Sequence, residues 1–229
     1  MNLLSSRKFH LSPFINGENK DFWFRTRYIP ALAARLSQQH PHVLELHLRP
    51  STVASVIGSC VGLLPTFAQS WVKAAFPEWF LPSHVVLKKQ KKGEGEEETI
   101  REEQFDTDVK AYDQLKPLQG TVIPTCYGRL RYDGTRALLL EYLGGVSMSL
   151  PEGTTLTLEE LSALLQPCYE VLNAFSVHHD NPNLSNFQLV NGKIMALDLE
   201  SAVFDMSADR RAYRGMQAYY RHDGSLEAA

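Results

Sequence analysis

Two dipeptides, Asp133-Gly134 and Asn191-Gly192, constrain the fold of this chain more than any other feature of its sequence. Each separates two runs rich in aliphatic and aromatic residues, 125–132 from 135–142 and 187–190 from 193–197. Asp, Asn and Gly tolerate the positive φ angles that a two-residue type I′ turn requires, so both segments predict tight β-hairpins. The chain must therefore contain antiparallel β-structure.

The remaining pattern after residue 84 alternates strand and helix signals. Residues 85–89 form a β-branched run that ends in lysines, and the polar segment 90–98 follows it. Residues 99–116 and 158–175 place apolar side chains at helical spacing and predict two amphipathic helices. The order strand, helix, hairpin, helix, hairpin predicts an α+β fold.

Residues 1–83 give weaker signals. Segments 29–38 and 66–76 have helical spacing, and 43–48 alternates apolar and polar residues as a half-buried strand does. Residues 50–72 carry no charge and are long enough to cross a bilayer, but Pro65 would interrupt a helix near the middle of this stretch. We therefore disfavour a membrane span and expect a buried or partner-facing segment.

Composition limits the class of protein and of partner. A net charge of -3 and a pI near 6.2 give no bulk attraction to nucleic acid. Cys60, Cys126 and Cys168 lack the paired spacing of a zinc site, so we expect reduced core thiols. The apolar run at residues 1–7 is too short for a signal peptide. These features predict an intracellular protein, cytoplasmic or nuclear.

The polar loop before the second hairpin carries the residues best suited to chemistry. It contains His179, Asp180, Asn181 and Asn186, and Asp198 follows where the hairpin ends. Carboxylate and amide oxygens are the ligands that Mg²⁺ prefers. This loop and the start of the following segment are therefore the candidate functional site.

This loop and hairpin resemble the catalytic loop, H-R-D-x-x-x-x-N, and the D-F-G strand of protein kinases. Blocks 85–91, 115–128, 133–140 and 179–187 are similar to those of small or degenerate kinase-like proteins abundant in filamentous fungi. The resemblance implies a small antiparallel N-lobe sheet with one helix, a hinge, and a reduced, mainly helical C-lobe. It also implies ATP and Mg²⁺ as ligands.

The same resemblance assigns roles to residues before the loop. Lys88 would hold the nucleotide phosphates and pair with Asp108 on the following helix, and the backbone from Glu141 to Leu143 would meet the adenine ring as the hinge. Asn186 and Asp198 would hold Mg²⁺. Simpler interpretations stay open for each of these residues. Lys88 could be a solvated strand end and Asp108 a surface helix charge, while Asn181, Asn183 and Asn186 could cap the loop and Asp198 could cap the segment that follows. His179 would brace the catalytic loop.

The sequence also departs from the kinase pattern. Counting back from Asn186 places Asn181 at the position of the catalytic aspartate, and an amide is no base at neutral pH. The other register provides Asp180 as the base but needs one extra residue in the loop. D-F-G is replaced by Asp198-Leu199-Glu200, and no glycine-rich loop precedes Lys88.

The resemblance divides the chain into three parts. Residues 1–83 would be an extension packed on the N-lobe, 84–143 the N-lobe and hinge, and 144–229 the reduced C-lobe. Residues 208–220 predict a basic, tyrosine-rich helix. We expect a nucleotide-binding pseudokinase that acts through protein partners. The alternative is an active ATP-dependent phosphotransferase on protein Ser/Thr hydroxyls, with a small-molecule phosphotransferase as a minor third option.

Overall fold

The computed structural model describes residues 17–36, 40–149, 156–181 and 183–204. Within these ranges the chain forms four α-helices and eleven strands, together with short 3-10 turns. The strands are β1 (Glu18–Phe24), β2 (Arg27–Arg35), β3 (Val43–Leu48), β4 (His84–Lys89), β5 (Cys126–Tyr132), β6 (Thr135–Glu141), β7 (Val146–Ser147), β8 (Val177–His179), β9 (Phe187–Val190), β10 (Lys193–Ala196) and β11 (Ala202–Phe204). The helices are α1 (Thr52–Gly62), α2 (Thr66–Ala75), α3 (Glu96–Gln114) and α4 (Leu158–Ala174).

The chain divides into two compact units, and neither is continuous in sequence. The first consists of residues 1–89 and 127–140, and the second of residues 90–126 and 141–229. The first unit contains a six-stranded sheet in the order β1-β2-β3-β4-β6-β5, with antiparallel pairing from β1 through β4. The three strands before residue 50 therefore extend the sheet that holds the predicted strand 85–89.

This sheet is curled around its own core. Its buried face includes Phe24, Ile29, Leu46 and Leu87, none of which is exposed to solvent. The rings of Phe22, on the edge strand β1, and of Tyr132, on the edge strand β5, lie 6.4 Å apart in an edge-to-face contact. Because the two edge strands approach each other, one sheet buries its apolar face without a second layer.

The predicted helix at 29–38 is wrong, because β2 occupies Arg27–Arg35. Ile29, Ala31 and Ala33 are buried at alternate positions, between β1 on one side and β3 on the other. Alanine and leucine favour a helix in isolation, but burial between two paired strands decides the outcome. The strand predicted at 43–48 is confirmed as β3.

Helices α1 and α2 form a hairpin in the connection between β3 and β4. The side chain of Ser51 caps α1 by accepting a hydrogen bond from the Ala54 N–H, and α2 confirms the helix predicted at 66–76. No helix in the described ranges has both the length and the apolar character needed to cross a bilayer.

In the second unit, α3 and α4 confirm the two predicted amphipathic helices. Helix α4 begins with a capping box in which Thr157 and Glu160 bond to each other's main chain. Two small sheets accompany the helices, one in the order β10-β9-β7 and the other made of β11 and β8. Helix α4 contacts β8 and β10, while α3 contacts the 3-10 turn at Leu199–Ser201.

Both predicted hairpin turns are confirmed. Asp133 and Gly134 have φ angles of 50° and 75°, and Asn191 and Gly192 have φ angles of 50° and 78°. Positive φ at both central residues is the type I′ geometry that such dipeptides favour. The first turn joins β5 to β6 in one unit, and the second joins β9 to β10 in the other.

The three cysteines are free thiols in different environments. Cys168 is a buried residue of α4, and burial raises the pKa of its thiol to about 12, so that it stays protonated at neutral pH. Cys126 is half-buried, whereas Cys60 is exposed on α1, so the expectation of three core thiols is wrong for Cys60. The helix predicted at 208–220 lies outside the described residues.

Candidate functional site

Asp198, the aspartate that follows the second hairpin, has a left-handed backbone conformation. Its φ and ψ angles are 50° and 74°, between the end of β10 and the 3-10 turn Leu199–Ser201. A residue with a Cβ atom pays a steric cost there, so the surrounding contacts must hold it in place. Strain of this kind at a candidate ligand residue motivates a functional hypothesis.

One of those contacts comes from α3. The main-chain N–H of Leu199 donates a hydrogen bond to Asp108 Oδ1 at 3.2 Å, and Asp108 has no solvent exposure. The interpretation of Asp108 as a surface helix charge is therefore wrong. A buried carboxylate instead fixes the main chain beside Asp198.

The loop that precedes the second hairpin is anchored at His179. Its Nε2 lies 3.0 Å from the Leu197 carbonyl oxygen, and the carbonyl can only accept, so Nε2 carries the proton. His179 also pairs with Ala202 in the β8–β11 ladder. The buried imidazole thus connects the start of the loop to the residue before Asp198.

Asn186 lies beside the same segment and is buried, with 4% exposure. Its carbonyl accepts the N–H of Leu197 at 2.7 Å. The side-chain amide of Asn186 donates to the Asn181 carbonyl at 3.4 Å. A main-chain hydrogen bond therefore joins the two segments that carry the predicted metal ligands, Asn186 and Asp198.

Asp180 and Asn181, the two alternatives for the base position, differ in environment. Asp180 is exposed, while Asn181 is half-buried and its Oδ1 accepts the Asn183 N–H at 3.4 Å. Asn183 in turn caps the next turn by accepting the Ser185 N–H. The loop from Asn181 to Asn186 is thus closed by its own hydrogen bonds, and Asp180 lies outside that closed segment.

Sequence reasoning missed Lys91. Its Nζ lies 2.5 Å from Glu200 Oε2, and Glu200 is 8% exposed. The ammonium of Lys91 compensates the charge of this buried carboxylate. Four lysines lie between positions 88 and 92. Nothing in that run marks Lys91 as the one whose partner lies 109 residues later.

The predicted hinge residues begin where β6 ends. Glu141 Oε2 accepts hydrogen bonds from both the N–H and the hydroxyl of Thr125, at 3.0 and 2.7 Å. The Glu141 N–H also donates to the Thr125 carbonyl, so the side chain and the main-chain N–H of Glu141 both hydrogen-bond to Thr125. Leu143 is half-buried two residues later.

Gly145, two residues after Leu143, has no room for a side chain. It has a φ of +74°, and a Cβ atom there would lie 2.4 Å from the Leu189 carbonyl oxygen. The neighbouring Gly144 carbonyl accepts a hydrogen bond from the Gln188 side chain. These contacts fix the chain after the hinge against β9.

Lys88 belongs to the first unit. It pairs with Val43 across the β3–β4 ladder and is 5% exposed, so its interpretation as a solvated strand end is wrong. Adjacent residues in a strand point to opposite faces of a sheet, so Lys88 and Leu87 face opposite sides. A buried lysine on a sheet is costly unless its ammonium has a partner.

The donor set at Asn186 and Asp198 fits magnesium better than a transition metal. Among the described residues, no group of three or more His, Cys, Asp and Glu side chains could hold a metal. Mg²⁺ requires few protein ligands because it retains waters and takes oxygens from phosphates. One carboxylate and one amide oxygen therefore fit an ion that arrives with a nucleotide.

Comparisons with known proteins give partial similarity only. No protein-family model matches the chain, and no curated protein matches it. A solved structure of the bifunctional kinase-methyltransferase WbdD matches 61% of this chain at 16% identity, with a TM-score of 0.41. A co-crystal structure of WbdD with the kinase inhibitor LY294002 matches 59% of the chain at 19% identity, with the same TM-score.

The matched region spans 32% of the length of WbdD in each of these two structures. A TM-score of 0.41 is too low to assign this chain to the fold or activity of that protein.

Proposed function

We propose that this chain is a protein-kinase-like, magnesium- and nucleotide-binding pseudokinase that acts as a binding or regulatory module. The observation that carries the proposal is the hydrogen bond from the Leu199 N–H to Asp108. The kinase resemblance named Asp108 as the helix carboxylate and Asp198-Leu199-Glu200 as the counterpart of D-F-G, from motifs 91 residues apart. If these motif matches were due to chance, there would be no reason for the two segments to be joined by a buried hydrogen bond.

In this proposal Asn186 and Asp198 hold Mg²⁺ beside the nucleotide phosphates. The main chain of Glu141 and Leu143 meets the edge of the adenine. When bound, Mg²⁺ would neutralise charge on the phosphates, and ATP would supply the phosphoryl group available for transfer. His179 and Asp108 act as positioning residues, because they hold the main chain on the two sides of Asp198.

The loop supports impaired transfer. Asn186 donates to the carbonyl of the residue five positions earlier, which is Asn181, and this spacing is that of the aspartate and asparagine in H-R-D-x-x-x-x-N. Asn181 carries an amide where catalysis needs a carboxylate. A protein whose loop has this register would bind Mg-ATP but would lack the base that accepts the substrate proton.

The test is thermal unfolding with ATP, in the presence and absence of Mg²⁺. The proposal expects a magnesium-dependent rise in melting temperature that Asp198→Asn abolishes. Asp133→Asn is a matched control, since Asp133 has the same φ of 50° at an exposed turn. An unchanged shift in Asp198→Asn would remove Asp198 from the metal role. No shift in the native protein at millimolar ATP would refute nucleotide binding.

The active alternative rests on Asp180, whose exposed carboxylate is the one acidic group in the loop 177–186. If Asp180 is the base, the protein releases ADP in the presence of protein Ser/Thr substrates, and Asp180→Asn eliminates this turnover while magnesium-dependent stabilisation persists. Stabilisation by Mg-ATP without turnover supports the pseudokinase.

A further inference from the structure

The α1–α2 hairpin exposes more apolar surface than a solvated helix pair requires. Val53, Val56 and Leu63 are 55%, 62% and 88% exposed, and Phe67 and Trp71 are 78% and 70% exposed. Most of the large, exposed apolar side chains in the described ranges lie in this connection. Contiguous apolar surface of this kind marks a binding face.

The spacing of these residues places them on the outer side of each helix. Val53, Val56 and Leu63 recur at intervals of three and seven, which keeps them on one side of α1, whereas Val61 on the other side is buried. On α2, Phe67 and Trp71 are four residues apart and lie one above the other. Each helix thus has an inner face toward its own unit and an outer apolar face.

The charge of this region has a single sign. Between Glu45 and Glu78 the sequence contains no acidic residue, while Arg49 and Lys73 flank the apolar stretch. The whole chain carries a net charge of -3. A segment whose only charged side chains are basic, and which exposes apolar side chains, is complementary to an anionic surface that is apolar beneath its charges.

We propose that the α1–α2 face binds the surface of an anionic phospholipid membrane. Phe67, Trp71 and Leu63 enter the boundary between headgroups and acyl chains, and Lys73 and Arg49 remain at the phosphate level. The helices lie in the plane of the membrane surface and do not span the bilayer, since neither is long enough to cross it. This inference is independent of the proposed nucleotide site.

A second copy of the chain is a poorer occupant of the same face. A two-fold interface brings one patch against itself, so it would bring Arg49 and Lys73 of both copies together without a carboxylate from residues 46–77. An anionic headgroup layer neutralises the same two cations.

The experiment is flotation of the full chain with vesicles of phosphatidylcholine, with and without phosphatidylserine. The native protein is expected to float with the phosphatidylserine vesicles, and Trp71→Ser to bind them roughly tenfold more weakly. Trp23→Ser is the matched control, because Trp23 is 62% exposed on β1 and lies outside the patch. Tryptophan fluorescence should shift to the blue on binding in the control variant and stay unshifted in Trp71→Ser.

Three results would overturn the proposal. The first is equal binding by the two tryptophan variants, and the second is equal binding to vesicles with and without phosphatidylserine. The third is a dimer, detected by light scattering, that does not bind vesicles and that the Trp71→Ser substitution dissociates. This result would assign the face to a second copy. In addition, the electrostatic part of the proposal would be refuted if the charge-reversed variant Lys73→Glu bound the vesicles as well as the native protein does.

Discussion

Lys91 Nζ lies 2.5 Å from Glu200 Oε2, across 109 residues of sequence and within one unit of the fold. Glu200 follows the strained Asp198 by two positions, so the pair tethers the 3-10 turn that carries it. The ion pair therefore holds the turn that follows Asp198.

Removing that cation should destabilise the fold. We expect Lys91→Met to lower the free energy of unfolding by about 2 kcal/mol, because it removes the ammonium that pairs with the buried carboxylate of Glu200. Lys92→Met, at an exposed neighbour, is the control and should cost under about 0.5 kcal/mol. Urea denaturation measures both. The double variant Lys91→Met/Glu200→Gln should recover part of the loss, and equal effects of the two single variants would contradict the role of the pair.

The bond from Leu199 to Asp108 predicts a second effect. Asp108→Ala should cost about 1 to 3 kcal/mol, since it removes the acceptor of a buried main-chain N–H, and should accelerate hydrogen exchange of the Leu199 amide. Asp108→Asn keeps an oxygen acceptor and should cost less. Asp106→Ala, exposed on the same helix, serves as the control. Unchanged exchange at Leu199 in Asp108→Ala would show that the bond contributes nothing.

Gly145 and Gly192 provide a matched pair for backbone strain. Both have positive φ, but a Cβ at Gly145 would lie 2.4 Å from the Leu189 carbonyl, whereas nothing lies within 4 Å of a Cβ at Gly192. Gly192→Ala should cost about 1 to 2 kcal/mol from the left-handed conformation alone. Gly145→Ala should cost clearly more, because the main chain of β9 must move. Comparable melting temperatures for the two variants would argue against the close approach.

Acidification should destabilise the first unit through His84. Burial lowers the pKa of His84, and the nearby Glu45 carboxylate, 2.8 Å away, only partly offsets this effect. Below about pH 6.5, the ordinary value for histidine, the unfolded chain binds a proton that the folded chain does not yet bind. Stability should therefore fall as the pH drops from 6.5 toward the folded-state pKa. His84→Gln should flatten this part of a pH series of urea melts, and an equally steep slope would exclude His84 as the cause.

The sequence predicts local structure best where a rule based on neighbouring residues has few exceptions. Asp133-Gly134 and Asn191-Gly192 determine their turns by φ preference alone, and the two amphipathic helices of the second unit follow from side-chain spacing. Prediction was wrong at Arg27–Arg35, where pairing with two neighbouring strands outweighs alanine's preference for a helix. Long-range pairing leaves no mark in a short sequence window.

The same distinction holds for the candidate site. His179, Asn186 and Asp198 lie in one short stretch of sequence. The His179 side chain and the Asn186 carbonyl both hydrogen-bond to the main chain of Leu197, the residue before Asp198. Lys91 was missed because nothing local distinguishes it from its neighbouring lysines. Its role depends on where Glu200 lies, which only the folded chain shows.

The discontinuity of the two units affects how the protein emerges from the ribosome. The chain leaves the first unit after Lys89 and returns to it only for residues 127–140. The sheet that includes β1 at residue 18 therefore cannot be completed until β6 has emerged, which happens only after α3 has emerged. During that interval β4 has no β6 beside it, so its free edge is open to other nascent chains. The speed of translation through residues 90–140 should thus influence the yield of folded protein.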